Sequence, residues 1–566
     1  MSSFSASSVS KRGSIVPPLA EDPAFVDSCD VLICGTGIVE SILAAALAWQ
    51  GSNVAHLDRN SIYGDSSAVL NLDELPRWVD EVNYESAVFS NAKLYQPRPL
   101  DSKKYFVDLT PRVLFAKSDM LQLLLKSRVY KYLEFRSLTN FHTYENDSFE
   151  KVPASKQDIF TSQQMSPVVK RQLMKFIKFT VEWERLYNVW GPYRDKPVVE
   201  FMTKEFQLEQ TQIDELVQSI GLCSSNDVAT PVALHRIKRY LVSLETYGAF
   251  PVVYSMYGSA SELSQGFCRS AAVGGAVYKL NATLTGLDVD SKTAIFNDGS
   301  KVRWSEKLVV SEAQITEQVR SKIPSSNPEY QINHLTVIVN MDCKEWFAEG
   351  EDAAIIVFPV GSLSSGNTKT VQAICYGAES GQVPPGQCIW YLSTVQGGAT
   401  GQRDLEEALS KMEASILRES TEDFEFQVDQ SDVIFTPSGD PVLSSVKLGK
   451  SMKDFVPEKK LTYLIKLSYN QKTSIPPLEE SIKDVAKNDG DESPVIVTSG
   501  APTEITYDGI VEQVKKIYAQ IVGSDDDFFD VDFEDDEEDE LTGMAKQNKK
   551  QEDDDHVPDF GDDMEL

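Results

Sequence analysis

The stretch Asp30-Val-Leu-Ile-Cys-Gly-Thr-Gly-Ile-Val-Glu40 decides the fold that this sequence predicts. Its first half indicates a short buried strand, and Gly35-Thr-Gly37 indicates a tight turn into a helix. Such a turn aims backbone N–H groups and a helix N-terminus at the pyrophosphate of a dinucleotide. A second strand ends on Asp58, at the distance where an acidic residue holds a ribose. The sequence therefore predicts an α/β fold of the FAD/NAD(P)-binding type.

The phosphate-binding part of this motif is altered. Dinucleotide sites carry a third glycine three residues after the second, and here that position is Glu40. A glutamate adds bulk where helix and strand approach closely, and negative charge beside the expected phosphates. The degenerate motif formed by Gly35, Gly37, Glu40 and Asp58 therefore predicts the scaffold without the cofactor.

The composition is that of a large protein with ample apolar content. The chain has 566 residues, of which 41% are hydrophobic, and this predicts more than one core. It contains no run of 18 apolar residues, and its first 20 residues lack the hydrophobic segment of a secretion signal. Seven cysteines without paired spacing and five scattered histidines predict reduced thiols, no metal site and a cytoplasmic protein. No motif predicts a catalytic residue.

Negative charge is concentrated at the C-terminal end. The net charge of the chain is −32, and residues 525–566 contain 20 acidic residues and three lysines. Like charge at this density predicts a disordered acidic tail. No basic stripe with interleaved aromatic residues occurs, which argues against a nucleic-acid partner.

The pattern along the chain predicts a discontinuous first domain. Residues 1–27, rich in Ser, Pro and Ala, read as a disordered leader. Strand-like segments dominate 28–115 and 248–523, whereas 116–247 has helical periodicity. The remaining segment, 524–566, is the acidic tail. The prediction is an α/β domain interrupted by an inserted all-helical domain.

Apolar side chains on the predicted helices have two interpretations. They recur at i, i+3 and i+4 spacings, which is typical of a closed helical core. Helices with apolar faces this wide can also part to admit a lipid chain, and both interpretations remain open. The residues concerned are Leu121, Leu125, Phe176, Ile177 and Val217.

Two stretches resemble the Rab GDI/Rab escort protein family. The first is Gly35-Thr-Gly-Ile-Val-Glu-Ser-Ile-Leu43 followed by Asp58-Arg-Asn-Ser-Ile-Tyr-Gly64, and the second, closer match spans residues 247–269. The order of segments is similar from about residue 28 to about residue 522. The resemblance implies the GDI/REP fold, a flavoprotein-like architecture that no longer binds flavin and has no catalytic activity of its own.

The resemblance also implies a platform for GDP-bound Rab GTPases. Its residues would include Tyr63, Glu262 and Arg269. A tyrosine offers flat apolar area with a polar tip, and the two charges suit opposite charges on a GTPase. Val277 and Lys279 are weaker members, because the family has Thr-Tyr-Met where this chain has Val-Tyr-Lys. The helical domain would shelter the geranylgeranyl lipid of the Rab.

Within this family the sequence favours the escort branch over the GDI branch. The Glu40-Ser41 pair before an Ala-rich helix, the extra length at both ends and the long loop at 471–494 support it, whereas Asp58-Arg-Asn60 is GDI-like. The escort branch implies presentation of unprenylated Rab to the α/β heterodimer of Rab geranylgeranyltransferase, and transient peripheral membrane contact. Residues 196–222 are the expected transferase contact. A third alternative is an FAD-dependent oxidoreductase.

Overall fold

A computed structural model describes most of the chain. The described residues are 25–145, 147–152, 166–244, 246–248, 250–323, 330–427, 433–435, 441–443, 461–473, 493–499 and 502–531. The predicted leader up to residue 24, most of the loop at 471–494 and the tail from residue 532 lie outside these ranges.

The strands in the described ranges are given in chain order. They are β1 (Ser28–Cys34), β2 (Val54–Leu57), β3 (Val69–Leu70), β4 (Phe89–Tyr95), β5 (Val107–Asp108), β6 (Leu114–Phe115), β7 (Phe135–Leu138), β8 (Phe141–Glu145), β9 (Ser148–Lys151), β10 (Val252–Ser255) and β11 (Val277–Lys279). They continue with β12 (Leu284–Asp288), β13 (Thr293–Phe296), β14 (Lys301–Ser311), β15 (Tyr330–Val339), β16 (Ala353–Phe358), β17 (Val371–Tyr376), β18 (Cys388–Thr394), β19 (Val433–Phe435), β20 (Pro441–Leu443), β21 (Tyr463–Thr473) and β22 (Val495–Thr498).

The α-helices follow the same order. They are α1 (Ile38–Trp49), α2 (Leu75–Tyr84), α3 (Asp119–Lys126), α4 (Pro167–Val181), α5 (Tyr187–Trp190), α6 (Val198–Phe206), α7 (Gln210–Asp214), α8 (Thr230–Ser243), α9 (Ala260–Val273), α10 (Glu317–Arg320), α11 (Gly398–Gln427) and α12 (Ile510–Val522). A π-helix, Glu215–Ile220, directly continues α7.

The first sheet carries the predicted dinucleotide-type unit. Its order is β11-β2-β1-β14-β13-β12, and β22 pairs with the C-terminal end of β14. The strands β11, β2, β1, β14 and β22 are parallel, while β13 and β12 extend the sheet as an antiparallel meander. Helices α1, α9 and α12 share a core on one face. The α/β fold and this strand–turn–helix–strand order agree with the sequence prediction.

The second sheet is larger and nearly all antiparallel. Its order is β4-β21-β15-β18-β17-β16-β8-β9, and only the β16–β8 pair is parallel. One face packs against helices α4 to α8 in a cluster that includes Phe176, Val217 and Tyr240. The opposite face packs against α11 through Leu405, Leu409 and neighbouring apolar residues. Both faces of the sheet are apolar, and helices cover each of them. The sheet is therefore the middle of three layers.

The predicted range of the all-helical insertion, 116–247, is too wide. Helix α3 packs into the core of the first sheet, and residues 135–151 form β7, β8 and β9. Two of these strands extend the second sheet, because β8 pairs with β16 more than 200 residues later in the chain. The helical layer proper therefore spans 167–243.

Buried arginines join the helical layer to a late segment of the chain. Arg236 of α8 donates a 2.6 Å hydrogen bond to the Glu504 carboxylate, and Arg239 pairs with Asp508. The guanidinium of Arg112 donates to the carbonyl oxygens of residues 502 and 506 at 2.9 and 2.8 Å. Segment 502–508, which leads directly into α12, is therefore held by three cations.

The acidic tail begins later than predicted. Phe528 and Phe529 are 3% and 1% exposed and belong to the core of the first sheet. The Lys126 ammonium donates to the Phe528 carbonyl oxygen at 2.8 Å, and the Phe529 ring lies 6.1 Å from that of Phe267. The predicted boundary at 524 is wrong, because the two aromatic side chains bury enough apolar surface to fix residues 524–531 on the fold.

Candidate functional site

The predicted phosphate-binding turn is covered by the protein's own side chains. Gly35 has φ +111°, and a Cβ there would lie 2.6 Å from the Cβ of Ser311. A Cβ on Gly37 would lie 2.5 Å from Glu40 Oε2, so the Glu40 carboxyl folds back over the turn. That carboxyl is 3% exposed and accepts a hydrogen bond from the Thr498 hydroxyl. Glu40 therefore occupies the place where a pyrophosphate meets this turn in a dinucleotide site.

The predicted ribose-binding residue is used within the fold. Asp58 accepts hydrogen bonds from the backbone N–H and the hydroxyl of Thr36, at 2.8 and 2.6 Å. It also accepts from the backbone N–H of Asn60 at 2.8 Å and from the Gln314 side-chain amide at 3.0 Å. Asp58 is fully buried. Four donors satisfy its carboxylate, so none of its acceptor capacity is directed toward a ligand.

A third buried carboxyl, Asp65, completes this acidic cluster. The Gln314 amide donates to Asp65 at 2.7 Å as well as to Asp58, and thereby bridges them. Burial, then the charge of Asp65, raises the pKa of Glu40 to about 8. The same two causes, in that order, raise the pKa of Asp58 to about 7. The Glu40 carboxyl fills the turn, and Asp58 and Asp65 use the donors around it, so these residues do not fit the dinucleotide that the fold type implies.

Three of the predicted platform residues lie at or beside helix α9. Glu262 and Arg269 are on this helix, where Glu262 is half-buried and Arg269 is exposed. The backbone carbonyl of Tyr63 accepts a hydrogen bond from the hydroxyl of Ser261, the residue before Glu262. Burial, then the nearby Asp108, raises the pKa of the Glu262 carboxyl. The structure thus brings Tyr63 next to Glu262, and places Arg269 two helical turns further along.

An aromatic residue that sequence reasoning missed lies against Arg269. The guanidinium carbon of Arg269 is 4.6 Å from the ring centroid of Tyr132, whose side chain is 40% exposed. Tyr132 ends the short 3-10 helix Val129–Tyr132. No local signal links residues 137 positions apart in the chain, so only the fold reveals the pair.

Val277 and Lys279 are not brought together with these residues. They flank Tyr278 on β11, and Tyr278 faces α9, with its ring 6.1 Å from that of Tyr63. Because side chains alternate along a strand, Val277 and Lys279 point to the opposite face of the sheet. There Lys279 pairs with Asp298 at 2.5 Å.

The five predicted lipid-site residues fall into two separate places. Phe176, Ile177 and Val217 are at most 4% exposed within the core of the helical layer. Leu121 packs instead against the core of the first sheet, from the same short helix α3 that carries Leu125. The structure therefore does not unite all five, because α3 belongs to a different layer.

The predicted transferase-contact range lies at one edge of the helical layer. Residues 196–222 include α6, α7 and the π-helix, an uncommon element that is frequent at functional sites. A cleft of about 380 Å³ opens beside it, lined in part by Glu145, Thr211 and Asp214. The Glu215 carboxyl has its pKa raised to about 7 by burial and then by Glu145. The lining of this cleft is acidic, because it includes Glu145, Asp147 and Asp214.

Comparisons with known proteins settle which family this architecture represents. The family model described as GDP dissociation inhibitor matches residues 26–365. The chain belongs to the GDP dissociation inhibitor family. Within this GDI family it is 49% identical to Rab proteins geranylgeranyltransferase component A of Saccharomyces cerevisiae, over 94% of this chain and 91% of that one. It is 44% identical to the protein of the same name in Candida albicans, over 91% and 87%.

A solved structure of the GDI family supports the fold. The crystal structure of Rab GDI from Plasmodium falciparum superimposes with a TM-score of 0.60 at 19% identity, over 88% of this chain and 99% of that one. The resemblance predicted from the two sequence stretches is thereby confirmed. It was correct because both stretches form the turn and the helix on which the first sheet is built, β1–α1 and α9.

Three further features of this GDI family member concern its thiols, possible metal ligands and possible membrane-spanning helices. All seven cysteines are buried, and none of them forms a disulfide bond. No group of three or more His, Cys, Asp or Glu side chains in the described ranges is placed to hold a metal ion. None of the helices found there has both the length and the apolar character needed to cross a membrane.

Proposed function

We propose that this chain is a Rab escort protein, which binds unprenylated GDP-bound Rab GTPases and presents them to Rab geranylgeranyltransferase. The observation that carries the proposal is the 44–49% identity to relatives named component A of that transferase, along more than nine-tenths of this chain. A relative named Rab GDP-dissociation inhibitor, from Pyricularia oryzae, is 26% identical over 68% of the chain. The escort branch therefore has the stronger support.

The proposed Rab-binding surface is the exposed side of α9 with Tyr63. Arg269 offers a guanidinium that can donate to a carboxylate or a backbone carbonyl of the partner. Glu262 is a half-buried acid with a raised pKa, so a basic partner residue would stabilise its charged form. Complementary charges of this kind set the orientation and specificity of docking.

The proposed lipid shelter is the helical layer, residues 167–243. The side chains of Phe176, Ile177 and Val217 are closely packed, so a geranylgeranyl chain would enter only if the helices part. Transient membrane contact during delivery of the prenylated Rab belongs to the same proposal. We assign the transferase contact to the acidic edge at 196–222, which suits a basic partner surface.

The chain acts in this proposal as an accessory component without a reaction of its own. The transferase heterodimer performs the chemistry, and this chain supplies binding and orientation. The acidic cluster of Glu40, Asp58 and Asp65 supports this role, because it fills the position that a flavin oxidoreductase needs for its cofactor.

A reconstituted prenylation assay tests the proposal. The purified chain is combined with GDP-loaded unprenylated Rab, the transferase heterodimer and radiolabelled geranylgeranyl diphosphate. Transfer of label should require the chain. Arg269→Ala should lower Rab affinity roughly 10- to 100-fold, as expected for a charged interface anchor, whereas the exposed Arg320→Ala serves as the matched control. Prenylation that proceeds equally without the chain would refute the escort function.

The same assay separates the escort function from that of a GDP-dissociation inhibitor. The GDI family model supports the latter as a second candidate. An inhibitor would extract prenylated Rab·GDP from membranes without supporting transfer of the lipid. Extraction activity together with no support of prenylation would therefore favour the second candidate.

A further inference from the structure

Arg269 is held by an aromatic ring. Its guanidinium carbon lies 4.6 Å from the centroid of the Tyr132 ring, and both side chains are exposed. Arg269 forms no ion pair with any carboxylate in the described part of the chain. A guanidinium over an aromatic face keeps its N–H donors available in the plane of the group. The ring therefore orients Arg269 without using its hydrogen-bonding capacity.

A glycine in α9 makes this contact possible. Gly266 lies between Glu262 and Arg269, and a Cβ there would come within 2.9 Å of Val129 Cγ1 and 3.5 Å of Leu133 Cδ2. Val129 is fully buried. Because Gly266 has no side chain, segment 129–133 packs directly against α9. This close packing places the Tyr132 ring beside Arg269.

We infer that Tyr132 is a positioning residue of the Rab-binding surface, which pre-orders Arg269 for its partner. The inference rests on the proposed function, because it assigns the partner of Arg269. A free arginine side chain loses rotamer entropy when a complex immobilises it, and pre-ordering removes part of that cost. The aromatic face of Tyr132, rather than its hydroxyl, supplies the effect.

A double-mutant cycle on the full chain tests the inference. The dissociation constant for unprenylated GDP-loaded Rab is measured for Tyr132→Phe, Tyr132→Ala, Arg269→Ala and the Tyr132→Ala/Arg269→Ala pair. Tyr132→Phe should bind as the parent does, and Tyr132→Ala should bind about two- to fivefold more weakly, the effect of an exposed cation–π contact. The pair should bind no more weakly than Arg269→Ala alone. Tyr84→Ala, at a side chain 90% exposed, is the matched control.

The outcomes distinguish this inference from the proposed function. If Arg269→Ala weakens binding and Tyr132→Ala does not, the positioning role is refuted while the Rab-binding surface stands. Additive effects in the pair would also refute it, since Tyr132 would then act independently of Arg269. If no variant on this surface changes binding, both the inference and the placement of the Rab site fail.

A second variant perturbs the geometry without touching either side chain. Gly266→Ala places a methyl group against Val129 and should displace segment 129–133 from α9. Rab binding should fall by a factor close to that of Tyr132→Ala, and adding Tyr132→Ala should produce no further loss. Unchanged affinity with normal thermal unfolding would count against the inference.

Discussion

The carboxyl group of Glu40 lies against the backbone of Gly37, in the turn that would otherwise receive a dinucleotide phosphate. Asp58 and Asp65 are buried nearby and share the amide of Gln314. A cluster of acidic side chains therefore fills the turn where a dinucleotide-binding protein of this fold would hold its ligand. The fold is retained because the cluster satisfies the polar groups around the turn.

The first prediction concerns the pH dependence of stability. The pKa of Glu40 in the folded chain is about 8, against an ordinary value of 4.5, so the folded state binds more protons than the unfolded state between these values. The free energy of unfolding should therefore fall as the pH rises from 4.5 through 8. In Glu40→Gln this contribution to the pH dependence is absent. The free energy of unfolding of the variant should therefore fall less steeply than that of the parent, by about 1.4 kcal/mol for each pH unit between the two pKa values.

Denaturant unfolding at several pH values measures this effect. Glu317→Gln, which replaces an exposed carboxylate by the same amide, is the matched control. Asp58, whose pKa is raised to about 7, contributes with the same sign and remains in the Glu40→Gln variant. An identical pH profile for Glu40→Gln and the parent would contradict the assignment.

The second prediction compares two cations two residues apart on helix α8. Arg236 is 1% exposed in its pair with Glu504, whereas Lys238 is 28% exposed in its pair with Glu184. Arg236→Met removes the buried guanidinium and its charge-assisted hydrogen bond to Glu504, and should cost about 1.5–3 kcal/mol of unfolding free energy. Lys238→Met should cost at most about 1 kcal/mol. Equal effects in denaturant titrations would show that the buried pair does not fasten segment 502–508.

The third prediction concerns where the C-terminal segment can be cut. Deletion of 532–566 should leave the thermal unfolding temperature and Rab binding at physiological salt unchanged. Deletion of 524–566 should lower stability, because it also removes the buried Phe528 and Phe529. Each of these phenylalanines, replaced by alanine, should cost about 3–5 kcal/mol. Equal stability of the two deletion variants would contradict this boundary.

The fourth prediction concerns the core of the helical layer. Ile177 is 4% exposed, so Ile177→Asp buries an unpaired charge and should unfold these helices. The conservative Ile177→Val should cost only about 0.5–1.5 kcal/mol and is suited to lipid-binding assays. Val168→Asp, at a side chain 61% exposed on the same helix, should unfold like the parent. Circular dichroism on heating provides the measurement.

Parts of this fold were predictable because their signals are local. The strand before Gly35 and the turn and helix after it are encoded within one short stretch of sequence, Asp30 to Glu40. The degenerate cofactor site was also readable, because Glu40 replaces one residue in a short motif. The contribution of Asp65 was not readable, since it joins the site through Ser311, at the end of β14, and Gln314, which lie 246 and 249 residues away in the sequence.

Other parts depend on partners far away in the sequence. The short strands at 135–151 carry little pattern of their own. They form because β7 pairs with β10, β8 pairs with β16, and β9 pairs with β8. Phe528 and Phe529 stand among acidic residues, so composition alone predicts a tail, whereas α12 and α9 provide a site for the two rings. Tyr132 was missed for the same reason.

The three arginines that bind segment 502–508 also constrain the order in which parts of the chain fold during synthesis. Arg112, Arg236 and Arg239 leave the ribosome more than 260 residues before the carboxylates and carbonyl groups that they bind. Until then, Arg236 and Arg239 of the helical layer would lack the carboxylates of Glu504 and Asp508 that balance their charge, a costly arrangement for buried cations. The layer therefore completes its folding only after nearly the whole chain has emerged. Nascent chains stalled before residue 502 should expose this layer to proteases and chaperones.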